Sequence, residues 1–210
     1  MQLCLKTLYN YTMNKLTKEF FIRDTLDVAR ELIGKFLVRE TPKGRIIGRI
    51  NETEAYIGRM DKACHAYNYR KTPRNEMLFH EGGVAYVYLI YGLYYCLNTV
   101  TEAEGEPSGV LQRGVEIIEG HEAASFYRYG KPYEALTRQQ IKNFSNGPGK
   151  LGMALDIDKS LSGMSLQSDS LYICDQIKDH KATASTIIES KRIGIDYAEE
   201  AVDFLWRFNG

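Results

Sequence analysis

Cysteine is scarce in this chain, and the copies present are spaced without a pattern. Cys4, Cys64, Cys96 and Cys174 lie far apart with no C-x-x-C pair, which argues against a disulfide framework and a structural zinc site. No apolar run approaches the roughly 20 residues that a membrane-spanning helix needs. The opening stretch, MQLCLKTLYNYT, has one lysine and no long apolar core, a poor match to a signal peptide. Net charge is missing too, with 27 Lys plus Arg against 27 Asp plus Glu, so the basic excess usual in nonspecific nucleic-acid binders is absent. No repeat, linker or low-complexity tract divides the chain. The segment NGPGK lacks the G-x-x-x-x-G-K-[ST] spacing of a phosphate loop. These absences leave a reduced, cytoplasmic protein with no membrane segment, metal or cofactor, made of one α+β domain.

What the chain does contain is tyrosine, 15 copies. Tyr56, Tyr67, Tyr69, Tyr86, Tyr88, Tyr91, Tyr94 and Tyr95 crowd into one region, and a flat ring with a polar tip suits interfaces and stacking sites. Charge is uneven as well: Arg59, Lys62, Arg70, Lys71 and Arg74 face Asp61 alone in one polar, aperiodic stretch. That stretch, from Arg59 to Gly83, reads as a long loop of the functional kind. Helical spacing over DTLDVARELI, with Asp24 as N-cap and Gly34 as stop, predicts a helix. Strands are expected at KFLVRE, RIIGRINETEAYIG, the two halves of VAYVYLIYGLYYCLNTV around Gly92, SGVLQRGVEII, SLYICD and STIIESKRIGI. GHEAASFYRYG and GPGKLGMALDI read as short helices, and AEEAVDFLWRF as a final amphipathic segment.

The segment NETEAYIG poses the chemical question. Alternation along a strand puts Glu52, Glu54 and Tyr56 on one face, where like charges repel unless water or a partner relieves them. Glu54 is either a solvated or plainly ion-paired carboxylate or a working one. Arg113, a cation inside the apolar run GVLQRGVEII, wants a carboxylate partner because an unpaired buried charge is costly. Such a pair facing a cleft is what holds an ionised general base. In the hairpin AYVYLIYGLYYCLN, Tyr86 and Tyr88 share a face; cross-strand packing explains them as well as a binding role does. Tyr91, beside the turn at Gly92, is placed to protrude, and exposed rings near cations suit base stacking. Cys64 and His65 are neighbours in an extended chain and point apart, so a thiol–imidazole nucleophile is disfavoured.

The ordered blocks ETEAYIG, DKACHAY, KTPRNEMLF, GVAYVYLIYGLYYCLN, VLQRGVE, NGPGKLGMAL and RIGI closely resemble the alkyladenine DNA glycosylase family, from about Leu16 to near the C-terminus. The resemblance implies a single compact domain, residues 16–210, with a curved antiparallel β-sheet flanked by helices, after a poorly ordered extension over residues 1–15. It implies a monomer that acts on double-stranded DNA, excising 3-methyladenine, 7-methylguanine, hypoxanthine and ethenoadenine. In a bacterial cell such an enzyme would sit on the nucleoid, and in a eukaryotic one in the nucleus.

By the same resemblance Glu54 is the base that activates water, and Arg113 and the main chain of Ile193 help hold that water. Tyr56 forms one wall of the base pocket, His65 and Tyr88 the other, and Asn98 disfavours the 2-amino group of guanine. Tyr91 fills the gap left by the extruded nucleotide. Arg70, Lys71, Arg74 and Lys150 are candidates for the DNA backbone. Tyr67, Tyr69 and Asp196 depart from the family pattern, which predicts a narrowed pocket mouth and an added negative charge near the water. The competing readings are a catalytically silent module that binds lesions or distorted duplex, and a hydrolase of free nucleosides using Glu52 as second acid.

Overall fold

A computed structural model describes residues 13–177, 180–181 and 186–210. Most of the expected N-terminal extension, residues 1–12 with Cys4, lies outside the described residues, as does Ser185 of the predicted STIIESKRIGI strand. The last three residues assigned to that extension, Met13–Lys15, form a strand, β1, paired with Leu171–Ile177, β7.

Ten antiparallel strands form one sheet. Its main path runs β1, β7, β2 (Phe36–Thr41), β3 (Gly44–Ile57), β6 (Ser108–Glu119), β5 (Tyr94–Val100) and β4 (Ala85–Ile90). Off this path β8 (His180–Lys181) pairs with β7, and β10 (Arg207–Asn209) joins β3 to β9 (Ile188–Ser190). Helices α1 (Lys18–Phe21), α2 (Thr25–Glu31), α3 (His121–Tyr129), α4 (Arg138–Lys142) and α5 (Pro148–Ala154) accompany the sheet. The architecture is the α+β class with a large antiparallel sheet that the sequence predicts.

β3 organises the rest. At 14 residues it is the longest strand, and it changes partner along one edge: β2 takes Gly44 to Arg49, and β10 takes Glu52 to Glu54. Its other edge pairs with β6 from Ile47 to Ile57, with register shifts on either side of Glu52. Such shifts bend a strand and re-aim its side chains, here just where the carboxylates begin.

The local signals explain most elements. The Asp24 side chain accepts from the backbone N–H of Leu26 at 2.8 Å and of Asp27 at 3.3 Å, capping α2 as expected. Tyr91 and Gly92 both have positive φ, 53° and 68°, and the Leu93 N–H reaches the Ile90 carbonyl, closing a tight turn within the three-residue connection between the paired Ile90 and Tyr94. α4, with a full capping box between Thr137 and Gln140, has no counterpart among the predicted elements because its apolar face is a single half-turn. The long loop from Arg59 is pinned by the buried Asn75, whose amide donates to the carbonyls of His65 at 2.7 Å and Arg70 at 2.8 Å.

The tail differs from its pattern. Of STIIESKRIGI only Ile188–Ser190 pairs as a strand; Arg192 to Gly194 leave the sheet, with Gly194 at φ 76°. The amphipathic AEEAVDFLWRF is a single 3-10 turn, Glu199–Asp203, followed by strand β10.

The core lies between the sheet and helices α2, α3 and α5, filled by Leu32, Leu37, Ile46, Ile50, Leu97, Leu151, Leu155 and Phe208. Burying each such side chain is worth about 1.5–3 kcal/mol. α5 approaches β5 closely: a Cβ on Gly152 would stand 2.2 Å from the Tyr95 carbonyl oxygen. Among the described residues no helix is long and apolar enough to cross a membrane.

Gly152→Ala gains helix propensity of about 1 kcal/mol yet forces α5 off the sheet. The expected result is a net loss of about 1–3 kcal/mol, read in urea denaturation as a lower midpoint with an unchanged slope.

Candidate active site

A cleft of about 600 Å³ opens where the middle of the sheet meets the start of α5 and the Arg192–Ile195 segment. Tyr56 from β3, Tyr88 from β4, Cys96 and Asn98 from β5, Arg113 from β6 and Ile193 line it, together with His65 from the long loop.

The alternation read from NETEAYIG holds in three dimensions. The Arg113 Nε donates to Glu52 Oε1 at 2.9 Å and its NH1 to Glu54 Oε2 at 3.3 Å. The Tyr56 hydroxyl donates to the same Glu54 oxygen at 2.8 Å, and the Ile193 backbone N–H to Glu54 Oε1 at 2.8 Å. Arg207 on β10 adds a second cation to Glu52 at 3.1 Å. Four elements thus converge on one carboxylate pair, and the guanidinium between the two acids relieves their repulsion.

Glu54 has no exposed surface and lies one layer beneath the cleft, behind Tyr56, Arg113 and Ile193. Three donors occupy its two oxygens, which leaves about one of four acceptor positions for a further partner. Burial raises its pKa above the usual carboxylate value, against the Arg113 charge, the Ile193 N–H and the Tyr56 hydroxyl. A folded value above the unfolded one contributes stability fully only below the unfolded pKa, and that contribution is lost as pH rises through the folded value. The fold therefore sustains the Glu54 charge at some expense in stability. Burial works against Arg113, but Glu54 and Glu52 outweigh it and its pKa is raised. Burial and the Glu54 charge push the Tyr56 phenol well above its ordinary value, so it acts as a donor and not as an acid.

The opposite wall is aromatic. His65 stands edge-on to Tyr88, ring centroids 4.6 Å apart, and its Nδ1 lies 3.0 Å from the Tyr86 hydroxyl. Tyr86 is buried and pairs across the hairpin with Asn98, whose amide donates to the Tyr86 carbonyl at 3.1 Å. Desolvation by the ring wall and then the Arg74 charge hold the His65 imidazole down to about 4, so it is neutral at ordinary pH.

Tyr91 projects from the hairpin tip at the cleft mouth, 81% exposed. Lys150 and Arg74 also line the cleft; Arg70 and Lys71 sit exposed on the long loop, outside it. Among the described residues none of these four cations has a carboxylate partner within salt-bridge distance, and Lys150 donates instead to the side-chain oxygens of Asn143 and Asn146.

One expectation needs correcting. Tyr67 and Tyr69 do not line the cleft: the Tyr69 hydroxyl is tied to Glu106 at 2.8 Å, and Asn68 and Tyr69 have left-handed backbone; Asp196 stands between two residues that do line it, Ile195 and Tyr197. Tyr197, which drew no attention in the sequence, forms that part of the rim. Asn75 was missed as well, although four loop contacts rest on its amide; its position inside the block KTPRNEMLF is the one signal that could have marked it. The Cys64 thiol is buried and pushed up to about 12 by that burial, which agrees with the reading of an inert cysteine. Among the described residues no three His, Cys, Asp or Glu side chains converge to hold a metal ion.

Residues 19–209 match the family model described as methylpurine-DNA glycosylase. Two relatives, from Clostridium perfringens strain SM101 and Clostridium acetobutylicum, are each 52% identical over 92% of this chain and cover 94% and 93% of their own length. A third, from Desulfitobacterium hafniense, is 47% identical over 93% of this chain and 95% of its own. All three carry the name "Putative 3-methyladenine DNA glycosylase". Matches of this extent define an enzyme of DNA repair, a DNA glycosylase, and set aside the silent binding module and the free-nucleoside hydrolase. More closely, the chain belongs to the methylpurine-DNA glycosylase family.

The neutral His65 is directly observable. Its imidazole resonances, followed by NMR, are expected to stay unprotonated across the physiological range and to titrate with a midpoint of about 4. In Arg74→Ala that midpoint should rise, because one of the two depressing influences is gone.

Proposed function

We propose that the enzyme extrudes alkylated and deaminated purines from duplex DNA into the cleft and hydrolyses the N-glycosidic bond with water activated by Glu54. The observation that carries this reading is the carboxylate itself: buried, triply hydrogen-bonded and set directly behind an aromatic cleft. A base within a duplex hides its sugar carbon, so the nucleotide must leave the stack at a cost of about a few kcal/mol, as for glycosylases generally. Tyr91, at the tip of a rigid hairpin, refills the stack and offsets part of that cost. Tyr56 on one side and His65 with Tyr88 on the other receive the purine between rings. The Asn98 side chain, on the cleft floor, excludes the exocyclic amine of normal guanine.

The chemistry balances for a cationic lesion. In 3-methyladenine and 7-methylguanine the base carries a positive charge. When the bond from C1′ to the ring nitrogen breaks, its electron pair neutralises the departing base. Positive charge builds on the sugar as an oxocarbenium, which ionised Glu54 stabilises. The water oxygen bonds to C1′ and its proton passes to Glu54. Arg113 holds Glu54 ionised and positioned, and the Ile193 main chain borders the water. Hypoxanthine and ethenoadenine are neutral and leave only with an added proton. The cleft offers a neutral His65 and tyrosines shifted away from acidity, which makes cationic lesions the better substrates. The attacking group in this scheme is water and not a lysine amine, which makes the enzyme monofunctional, without a lyase step. It works as a monomer on damaged double-stranded DNA in the cytoplasm, with Arg70, Lys71, Arg74 and Lys150 positioning the phosphate backbone.

Base release from methylated DNA and from duplex oligonucleotides carrying hypoxanthine or ethenoadenine tests this. Wild type should free the methylated bases fastest, and Glu54→Gln should lose at least about 100-fold in rate while still binding DNA. Activity of Glu54→Gln equal to wild type would remove Glu54 from the mechanism.

A further inference from the structure

Asp61 and Arg192 form an ion pair whose side chains have no exposed surface. The guanidinium is bidentate on the carboxylate, at 2.5 Å and 2.8 Å. Its remaining reach goes to main chain: NH1 donates to the Ala55 carbonyl at 2.8 Å and NH2 to the Ala201 carbonyl at 3.3 Å. It also lies against two rings, 4.7 Å from the Tyr56 centroid and 5.1 Å from that of Trp206. Its Nε has no hydrogen-bond partner. Fold stability alone does not explain such an arrangement, since well-packed apolar residues often replace a buried ion pair at no loss.

Position in the chain suggests what it does. Ala55 sits between Glu54 and Tyr56, and Arg192 directly precedes Ile193. One guanidinium therefore grips the backbone beside the carboxylate, the ring of its phenol donor, and the residue before its N–H donor. Ile193 is 51% exposed and outside any strand; Arg207 Nε on the Lys191 carbonyl at 2.9 Å and the buried Ile195 help hold this short segment, and Arg192 is the residue that ties it by hydrogen bond to the β3 main chain beside Glu54.

We propose that Asp61 and Arg192 are a positioning unit that holds the Tyr56 hydroxyl and the Ile193 N–H on the Glu54 carboxylate, and so set the lower pH limit of catalysis. This rests on the reading of Glu54 as the base. Both donors favour the ionised carboxylate, so loosening them raises the pH at which Glu54 gains a proton. The other groups facing Glu54 are Arg113 from β6, Glu52 from its own strand with Arg207 beyond it on β10, and Tyr88 from β4. None of these touches Asp61 or Arg192 through a hydrogen bond, so they stay in place when the pair is altered.

The test is the pH profile of single-turnover 7-methylguanine release from methylated DNA for Arg192→Lys and Asp61→Asn, from about pH 5 to 9. Arg192 itself carries a charge felt by Glu54, and Arg192→Lys keeps that charge: in it the acid limb should move up by about one unit, a roughly 10-fold loss of rate below it, with the plateau within about threefold of wild type, whereas in Asp61→Asn the unpaired Arg192 cation opposes the shift and the limb should move up by less. Val38→Ala, in the small cluster with Phe36, Ile47 and Tyr172, should lower Tm and leave the limb in place. A limb that stays at its wild-type position in a folded Arg192→Lys overturns the proposal while leaving Glu54 as base intact. A Glu54→Gln enzyme that keeps the limb overturns the base assignment itself. Should neither variant fold, hydrogen exchange at the wild-type Ile193 amide decides. Protection above the acid limb that vanishes below it supports the proposal, and an amide unprotected at every pH refutes it.

Discussion

One guanidinium makes this site possible. Glu52 and Glu54 share a strand face, and without Arg113 between them one would have to give up its charge or the strand would have to distort. Removing one partner from a buried pair of this kind costs about 3–5 kcal/mol, so the three residues stand or fall together. The rest of the active centre follows from that triad. β6 must lie beside β3 to deliver Arg113, and β10 must reach the other edge of β3 to give Glu52 its second cation. The Ile193 segment must leave the sheet to bring an N–H to the remaining oxygen of Glu54.

The site is therefore built on sheet, not on loops. Tyr56, Tyr88, Cys96, Asn98 and Arg113 all come from four neighbouring strands whose register fixes their separations. His65 and Ile193 come from irregular segments, and each is tied down: His65 by the Asn75 amide on its carbonyl, Ile193 through its neighbour Arg192. Cleft and carboxylate occupy successive layers, rings in front and charge behind. That order suits the proposed reaction, in which a flat base stacks first and bulk solvent is kept from an oxocarbenium. Tyr91 stands apart from the rest, exposed on a turn whose left-handed backbone at Tyr91 and Gly92 holds the ring outward.

Much of this was legible in the residues. Period-two alternation placed Glu52, Glu54 and Tyr56 on one face, and a lone arginine in an apolar strand pointed to its carboxylate partner. Capping and turn residues marked α2, α5 and the hairpin. The C-terminal segments were harder, because a helical pattern of apolar residues in AEEAVDFLWRF served a 3-10 turn and a strand that pairs with the distant β3 on one edge and with β9 on the other. Asp61 and Arg192 were not singled out for the same reason, since they meet across 131 residues; Asn75 bonds within ten residues of itself, but a single polar residue carries no periodicity. The expectation that Tyr67 and Tyr69 narrow the cleft failed: Asn68 and Tyr69 have left-handed backbone, and the Tyr69 hydroxyl is tied to Glu106.

The account turns on whether a fully covered Glu54 is charged when the enzyme works. Infrared difference spectroscopy between wild type and Glu54→Gln, with isotope-labelled glutamate, reads that state directly. The account predicts carboxylate bands at neutral pH, giving way to a protonated carbonyl band only as the pH falls through the acid limb of activity. A carbonyl band that persists throughout the active range would show a neutral Glu54, and a general base could not be what this buried residue is.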